Sequence, residues 1–578
     1  MKNKMVKWKI LLITNRDSDN VGDQVIEISD IGLIHTIMKN LDIEKSDYSI
    51  TSRAAGFITK KYLETEDPEL LEDPERAIKN ADLVIFGGAP LFNYAYQMFY
   101  KRTAITLEIA QKYNKPVLFS GIGIEGYDEE NKKCQRLKKT LNFDCVKQIT
   151  TRDGIEYLKQ YKENENLIID KVADPAVFSS VVLKDFCKKE EHKRKKVGIF
   201  VLRAMGFIDN GVNITREEAT EMWVNLAHEL EKKNIDYEFL TSGNFGDEAV
   251  LERLIRKYGI HPDKCVFNMN NPETLLRRMS VYDGVISCRL HPSIISYSLN
   301  IPSVGLVWNS KVRAFYENTG YTDRIVEAEE FKAEVLADKI EKSMNQGIMQ
   351  NTEFMMSIYN TLFTGIQRVL CKDVPEKKPY SYDELMENMW SFPGTSAKET
   401  TIKLKRKCRR TYEQYNRVSD LLEEKRKEIQ ELKQFIHDMK FRVIYNSGTK
   451  VAELKINNES ANVWRTESGA YEYDFTERYY NTGENQVEKI AFEYPERNFA
   501  GWRMRIKDRD GNWYWYMNNQ KLMPVDQYDS SKKELLYRLK DEDRIPYLKD
   551  MKIDVIVLEA EWKSGICSRV LRKLRGNR

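Results

Sequence analysis

Short apolar runs, each closed by a turn residue and followed by a stretch of helical spacing, recur through the first half of this chain and restrict it to an α/β architecture. Trp8-Lys9-Ile10-Leu11-Leu12-Ile13-Thr14, Ala81 to Phe86, Pro116 to Ser120 and Gln148 to Thr151 are such runs. They suit parallel strands covered by helices on both faces. The charged stretch Lys188 to Lys196 interrupts the alternation and reads as a solvated linker. The pattern resumes with Val197 to Leu202, Tyr237 to Thr241, Gly284 to Ser287 and Pro302 to Val307. Two Rossmann-like domains, residues 1–187 and 197–371, are therefore expected to face each other across a cleft. Ligands should sit at the carboxyl ends of their strands.

At 578 residues the chain exceeds what one core can organise. Its 92 basic and 89 acidic residues nearly cancel, which argues against nucleic acid as a partner. No run reaches the roughly 18 apolar residues needed to span a bilayer. The segment Met1 to Thr14 lacks a cleavable leader pattern and reads as a first strand. The eight cysteines are scattered with no CxxC pair, which suits free thiols in a cytoplasmic protein without a metal centre. No cofactor is expected either. Gly121, Gly123 and Gly126 match a dinucleotide fingerprint only superficially, because Tyr127 to Asn131 continue it poorly.

Beyond the paired domains, residues 372–395 read as a loop-rich linker and 396–441 as a charged helix. Cys408, Tyr415, Leu422, Ile429, Ile436 and Val443 recur every seventh residue, and Thr411, Val418, Lys425, Leu432 and Met439 form the matching seam. Such heptads suit either a homodimeric coiled coil or a helix lying along its own chain. Residues 442–578 alternate aromatic and polar side chains, as in a small antiparallel, sandwich-like β domain with a hairpin turn at Asp508 to Asn512. The rings from Trp513 to Tyr516 could stack on sugars or fill a sandwich core, and alternation favours the core. The basic segment Ser568 to Arg578 reads as a solvated tail, with peripheral contact to an anionic membrane surface as the alternative.

Turns that close the apolar runs carry the chemistry-bearing residues. Asn20-Val21-Gly22-Asp23 follows the first strand and opens a helix, where amides can hold an anion and Gly22 permits close approach. Phe86-Gly87-Gly88-Ala89-Pro90 closes another strand. Thr151-Arg152-Asp153 and Asp174-Pro175 offer a cleft cation, or an ion pair that locks a turn. Ser287-Cys288-Arg289-Leu290-His291-Pro292 pairs a guanidinium, suited to phosphate or carboxylate, with an imidazole that ordinarily titrates near neutrality. If the chain stays extended there, alternation points Arg289 and His291 to one side; a helix cap with an interdomain salt bridge is the alternative. Asn309-Ser310-Lys311 adds a further cation.

These pieces, with Ile301-Pro302, occur in the order seen in the polysaccharide pyruvyl transferases, and Ile10 to Gly320 resembles that family. Ala89 stands where many members carry a third glycine. The resemblance implies a GT-B-like pair of domains. It also implies transfer of a pyruvyl group from phosphoenolpyruvate to two hydroxyls of a sugar, on a lipid-linked or polymeric glycan. It assigns His291 as general acid and Arg289 to donor phosphate or carboxylate; Asp174 or Asp23 is the candidate base or acceptor-hydroxyl ligand. Asn20, Gly22, Asp23, Gly87, Gly88, Arg152 and Lys311 become candidate substrate contacts. The setting expected is the cytoplasm, including the inner face of the membrane. A nucleotide-sugar glycosyltransferase and a non-catalytic glycan-binding protein are the alternatives.

Overall fold

The computed structural model describes residues 7–89, 92, 94, 98–267, 269–372, 375–438, 440–456, 461–475, 486–546, 548 and 551–565. Pro90, Met439, Cys567 and the basic segment Ser568 to Arg578 lie outside the described residues. The chain forms two compact units, Met1–Thr411 and Tyr412–Arg578.

The first unit contains two six-stranded sheets. β1 (Trp8–Thr14), β2 (Tyr48–Ala54), β3 (Leu83–Gly87), β4 (Val117–Ile122), β5 (Val146–Thr151) and β6 (Ile168–Lys171) build one, in the order β2-β1-β3-β4-β5-β6. β7 (Lys196–Phe200), β8 (Asp236–Leu240), β9 (Cys265–Val266), β10 (Gly284–Ser287), β11 (Ser303–Leu306) and β12 (Ile325–Val326) build the other, in the order β12-β11-β10-β7-β8-β9. Every pairing within both sheets is parallel. The central strands are apolar because helices cover both faces: Ile10, Leu12 and Ile85 face one cluster, and Leu11, Ile13, Val84 and Phe86 the other. Strand order reverses between β1 and β3 in the first sheet and between β7 and β10 in the second. These are the switch points where open α/β sheets leave a crevice for ligands.

The expected linkers differ from one another. Residues from Lys188 to Lys195 are largely exposed, as their charge requires. Residues 372–395 are instead fastened to the first sheet's domain. They carry the helix Tyr382–Asn388, bury Leu385 and Met389, and bond Trp390 N to Thr36 Oγ1 at 3.0 Å and Phe392 N to Val182 O at 2.8 Å. The helix Thr352–Leu370, which closes the second domain in sequence, packs on β4 and β5 of the first. Gln148 Nε2 donates to Thr361 O at 2.9 Å across that contact.

The long helix spans Ala397–Asp438 and runs from the first unit into the second. The second unit has a mixed sheet of eight strands, mostly antiparallel, in which Arg442–Asn446 pairs in parallel with Ile553–Ser564. The hairpin at Asp508 to Asn512 closes as the sequence suggests, with Asp508 N bonded to Asn512 O at 3.0 Å. Of the aromatic run Trp513–Tyr516 only Tyr516 reaches the core, while the Arg505 guanidinium lies over the rings of Trp513 and Trp515. Among the described residues no helix is long and apolar enough to cross a membrane.

Candidate functional site

The loops after β1, β3 and β10 all leave their sheets at the switch points, and they bring residues of both domains together. Asn20 caps the helix Val21–Asn40, its Oδ1 accepting from Gly22 N at 3.2 Å. Val21 N donates to Ser242 O of the second domain at 2.7 Å. Gly22 lies directly against His291, so that a Cβ there would stand 2.3 Å from the imidazole Nδ1. Glycine is the one residue this approach admits.

His291 does not sit on an extended continuation of β10. Arg289 is extended, with φ −90° and ψ 136°, and caps a helix, Leu290–Ser298, that places His291 in its first turn. The Arg289 guanidinium donates to Asp247 Oδ2 from Nε at 3.0 Å and from Nη2 at 2.5 Å. Asp247 is fully buried in the first turn of the helix Phe245–Tyr258, so the pair belongs to the second domain alone. The Arg289 guanidinium also faces the ring of Trp308. It is held in place yet remains partly exposed.

The imidazole of His291 is buried and, among the described residues, its Nε2 has no hydrogen-bond partner. Burial, with the charges of Arg152, Lys311 and Arg289 acting against Asp23, pushes its pKa down to about 4. The near-neutral titration expected from residue type therefore does not describe the free protein, in which the ring is uncharged at neutral pH.

Arg152 and Asp174 form a buried ion pair, and Arg152 Nε lies 3.7 Å from Asp153 Oδ2. Burial alone would lower the Arg152 pKa, but Asp174, Asp153 and Asp23 hold it above the usual arginine value. Asp174 Oδ1 also accepts from Ala176 N at 2.8 Å, capping the turn Pro175–Phe178. The lock of the turn and the cationic site are thus the same pair. Asp153 Oδ1 accepts from Ile124 N at 2.7 Å, and burial raises its pKa against Arg152 and Lys311. Lys311 crosses the domains to pair with Glu125, and Asn318 Nδ2 reaches Arg152 O at 3.4 Å.

Gly87 and Gly88 reveal residues that the motif search missed. A Cβ on Gly87 would come within 2.3 Å of Asp30 Oδ2, and that carboxyl accepts from Gly88 N at 3.2 Å and Ser120 Oγ at 3.1 Å. Burial raises the Asp30 pKa well above the usual carboxylate value, and Asp174 and Glu27 add to the shift. Asp23, Glu27 and Asp30 are all buried on one face of the helix Val21–Asn40. Their spacing of four and then three residues was visible in the sequence as an acidic stripe in an otherwise apolar helix. Asn15 Nδ2 bonds Asp23 Oδ2 at 2.8 Å, and Arg16 Nε lies 3.2 Å from Glu27 Oε1. Asp247 had no comparable signal, since its partner lies more than 40 residues away, with |i−j| of 42.

Every sequence-derived site residue thus lies at or just after the carboxyl end of a strand, those after β1, β3 and β10 at the switch points and those after β5, β6 and β11 farther along the two sheets. Asn20, Gly22, Asp23, Arg152, Arg289, His291 and Lys311 act on or touch one another. Gly87, Gly88 and Asp174 are linked to them through Asp30 and Arg152.

Among solved structures the chain is similar to UDP-GlcNAc 2-epimerase from Methanocaldococcus jannaschii, at 14% identity and a TM-score of 0.42, covering 63% of this chain and 99% of that one. It is similar to a glycosyltransferase from Rickettsia africae at 12% identity and TM-score 0.34, covering 66% of this chain and 96% of that one. An Escherichia coli heptosyltransferase follows at 9% identity and TM-score 0.31, covering 58% of this chain and 99% of that one. No curated protein sequence matches the chain. The pattern of the polysaccharide pyruvyl transferases matches residues 20–310, half of the chain and all but the last of the strand-end motifs, and the chain belongs to that family.

Proposed function

We propose that the chain transfers the pyruvyl group of phosphoenolpyruvate to two hydroxyls of one sugar in a glycan or glycan precursor, forming a ketal and releasing phosphate. Family membership implies a pyruvyl donor and a glycan acceptor. The observation that carries the finer reading is the buried, unpartnered Nε2 of His291 among Arg152, Arg289 and Lys311 at the junction of two switch points. A donor with both phosphate and carboxylate needs more than one fixed cation. Arg289 meets it with a guanidinium already oriented by Asp247.

The reaction protonates C3 of the donor and leaves C2 open to attack by one sugar hydroxyl. The second hydroxyl displaces phosphate. Of the two hydroxyl protons, one balances the proton placed on C3 and the other leaves with phosphate. His291 is uncharged in the free protein. The anionic donor offsets the surrounding cations, raises the imidazole pKa and lets His291 take up the proton it delivers to C3. Asp174 is held by Arg152 and orients rather than accepts. Asp23, beside His291, is the better-placed acceptor for a sugar hydroxyl proton.

The same reading places the protein in the cytoplasm, in keeping with its seven described free thiols. It also has two copies pairing through the long helix. The deciding experiment measures phosphate release from phosphoenolpyruvate with a panel of sugar acceptors. Release that requires a sugar and disappears in His291→Ala is expected. Sugar-independent release, or release unchanged in that variant, would overturn the assignment.

A further inference from the structure

A cavity of about 180 Å³ opens beside the candidate site, and its walls come from three separated parts of the first unit. Arg16 to Asp19 and Gln24 belong to the loop and helix that follow β1, Asn270 to Thr274 to the second domain, and Thr395 to Arg410 to the start of the long helix. The family match ends at residue 310, so the last wall is built by sequence outside it. Five cationic side chains line the cavity, Arg16, Lys403, Arg406, Lys407 and Arg410, with the carboxylates Asp17 and Asp19 in the same lining and Glu27, Glu248 and Glu399 pairing with Arg16, Lys407 and Lys403 from beside it.

Arg16 is taken up by Ser52 O, Glu27 and Glu399 through its three nitrogens, while the other four cations are held by contacts that leave donors over. Lys403 Nζ bonds Gln24 Oε1 at 3.0 Å; Lys407 Nζ bonds Glu248 Oε1 at 3.0 Å and Asn270 Oδ1 at 2.9 Å. Arg406 reaches Asp17 Oδ1 through Nη1 at 2.6 Å, one of its five N–H groups. Arg410 bonds Asp17 O and Asp19 Oδ1 through its two terminal nitrogens, while its buried Nε has no partner among the described residues. The helices Val21–Asn40 and Pro272–Met279 begin at this cavity, and their first amides add to the positive field. The volume is below that of a site enclosing a whole drug-sized ligand and suits a compact charged group.

The cavity is coupled to the transfer site twice. Gln24, which binds Lys403, is two residues from Gly22, which touches His291. Glu248, which binds Lys407, follows Asp247, which binds Arg289.

We infer that this cavity holds the diphosphate through which the acceptor sugar is carried, so that the long helix supplies acceptor binding to a donor site built by the two sheets. The inference rests on the transfer reading above only for the identity of the sugar it delivers. A sugar diphosphate on a nucleotide and one on a polyprenyl lipid present the same group.

The test is calorimetric titration of the full-length protein with inorganic pyrophosphate, compared with Lys403→Gln/Lys407→Gln and, separately, Arg406→Gln. Thermal melting checks that each variant folds. Removing charge-assisted bonds should weaken pyrophosphate binding by about tenfold or more in the double variant, while phosphoenolpyruvate binding stays unchanged. Equal pyrophosphate affinity in wild type and both variants, or none in wild type, would overturn the inference; the cations would then only fasten the helix. Lysine-dependent pyrophosphate binding without any phosphoenolpyruvate binding would keep the anion site and sink the transfer reading. Uridine diphosphate and farnesyl diphosphate distinguish the carriers. A gain over pyrophosphate by either names the carrier, and equal binding shows that the diphosphate alone is read.

Discussion

The imidazole of His291 is closed in by a glycine, three cations and a carboxylate, and its behaviour follows from that packing. Folding lowers its pKa from the ordinary 6.5 to about 4, chiefly by burial. The unfolded chain therefore takes up a proton near pH 6.5 that the folded chain refuses until about pH 4, and stability must fall as pH drops through that window. His35, also buried and beside Lys45, is pushed to about 4 and contributes in the same direction. His291→Gln should remove only its own share, at most about 3 kcal/mol, from the loss between pH 6.5 and 4. Chemical denaturation at several pH values reads this directly; an unchanged slope would mean that the ring is not buried uncharged. The same variant should lose about 10²-fold or more in turnover at neutral pH if His291 delivers the proton. Gly22→Ala places a methyl where the imidazole stands, and phosphate-release assays should show turnover lost while circular dichroism stays native. Breaking the buried Arg152 and Asp174 pair by Arg152→Met should cost about 3–5 kcal/mol in denaturant titrations, because it strands a carboxylate. At this scale the sequence exposed the partners that stand beside glycines or in short motifs, such as His291 and Gly22. It hid Asp247 and Ser120, whose roles exist only through contacts between distant strands and helices.

Elements differ in how far their residues announce them. β1 and β10 follow the apolar runs residue for residue, because a central parallel strand is apolar on both faces. The edge strands β2 and β6 are half-exposed and their mixed composition resembles loop, while β9 and β12 are only two residues long, too short for alternation to mark. The long helix was legible as heptads, and its two halves differ in what their side chains meet. Through Arg410 its side chains bond the first unit. Beyond it Tyr415, Val418, Leu422, Ile429 and Leu432 are each at least 50% exposed. With Cys408 at position a, Glu428 falls at g and Lys433 at the following e, a complementary pair for a parallel second copy. Leu422→Lys/Ile429→Lys should convert a dimer to a monomer in light scattering, and a wild-type monomer would exclude that pairing.

At the scale of the molecule, the site depends on how the two sheets are tied, and the ties come from outside the sheets. The helix Thr352–Leu370 returns from the second domain to lie on β4 and β5, and residues 377–395 continue over the first domain. Lys311 with Glu125, Asn318 with Arg152 O and Val21 N with Ser242 O then join the facing loops. Alternation of strands and helices encodes each sheet, but the tie requires that a helix distant in sequence choose the other domain, and its amphipathic pattern names no partner. Because every candidate site residue and the basic cavity lie within Met1–Thr411, removing the second unit should leave the chemistry of a single turnover intact. A chain ending at Asp438 keeps the helix that walls the cavity. It should release phosphate from phosphoenolpyruvate at a rate close to that of the full chain with a short soluble acceptor. A chain ending at Thr395 lacks Lys403, Lys407 and Arg410; it should keep donor binding and lose acceptor affinity. Equal acceptor KM in the two truncations would move acceptor recognition off the helix, and loss of donor binding in the shorter one would make the helix part of the tie between the sheets.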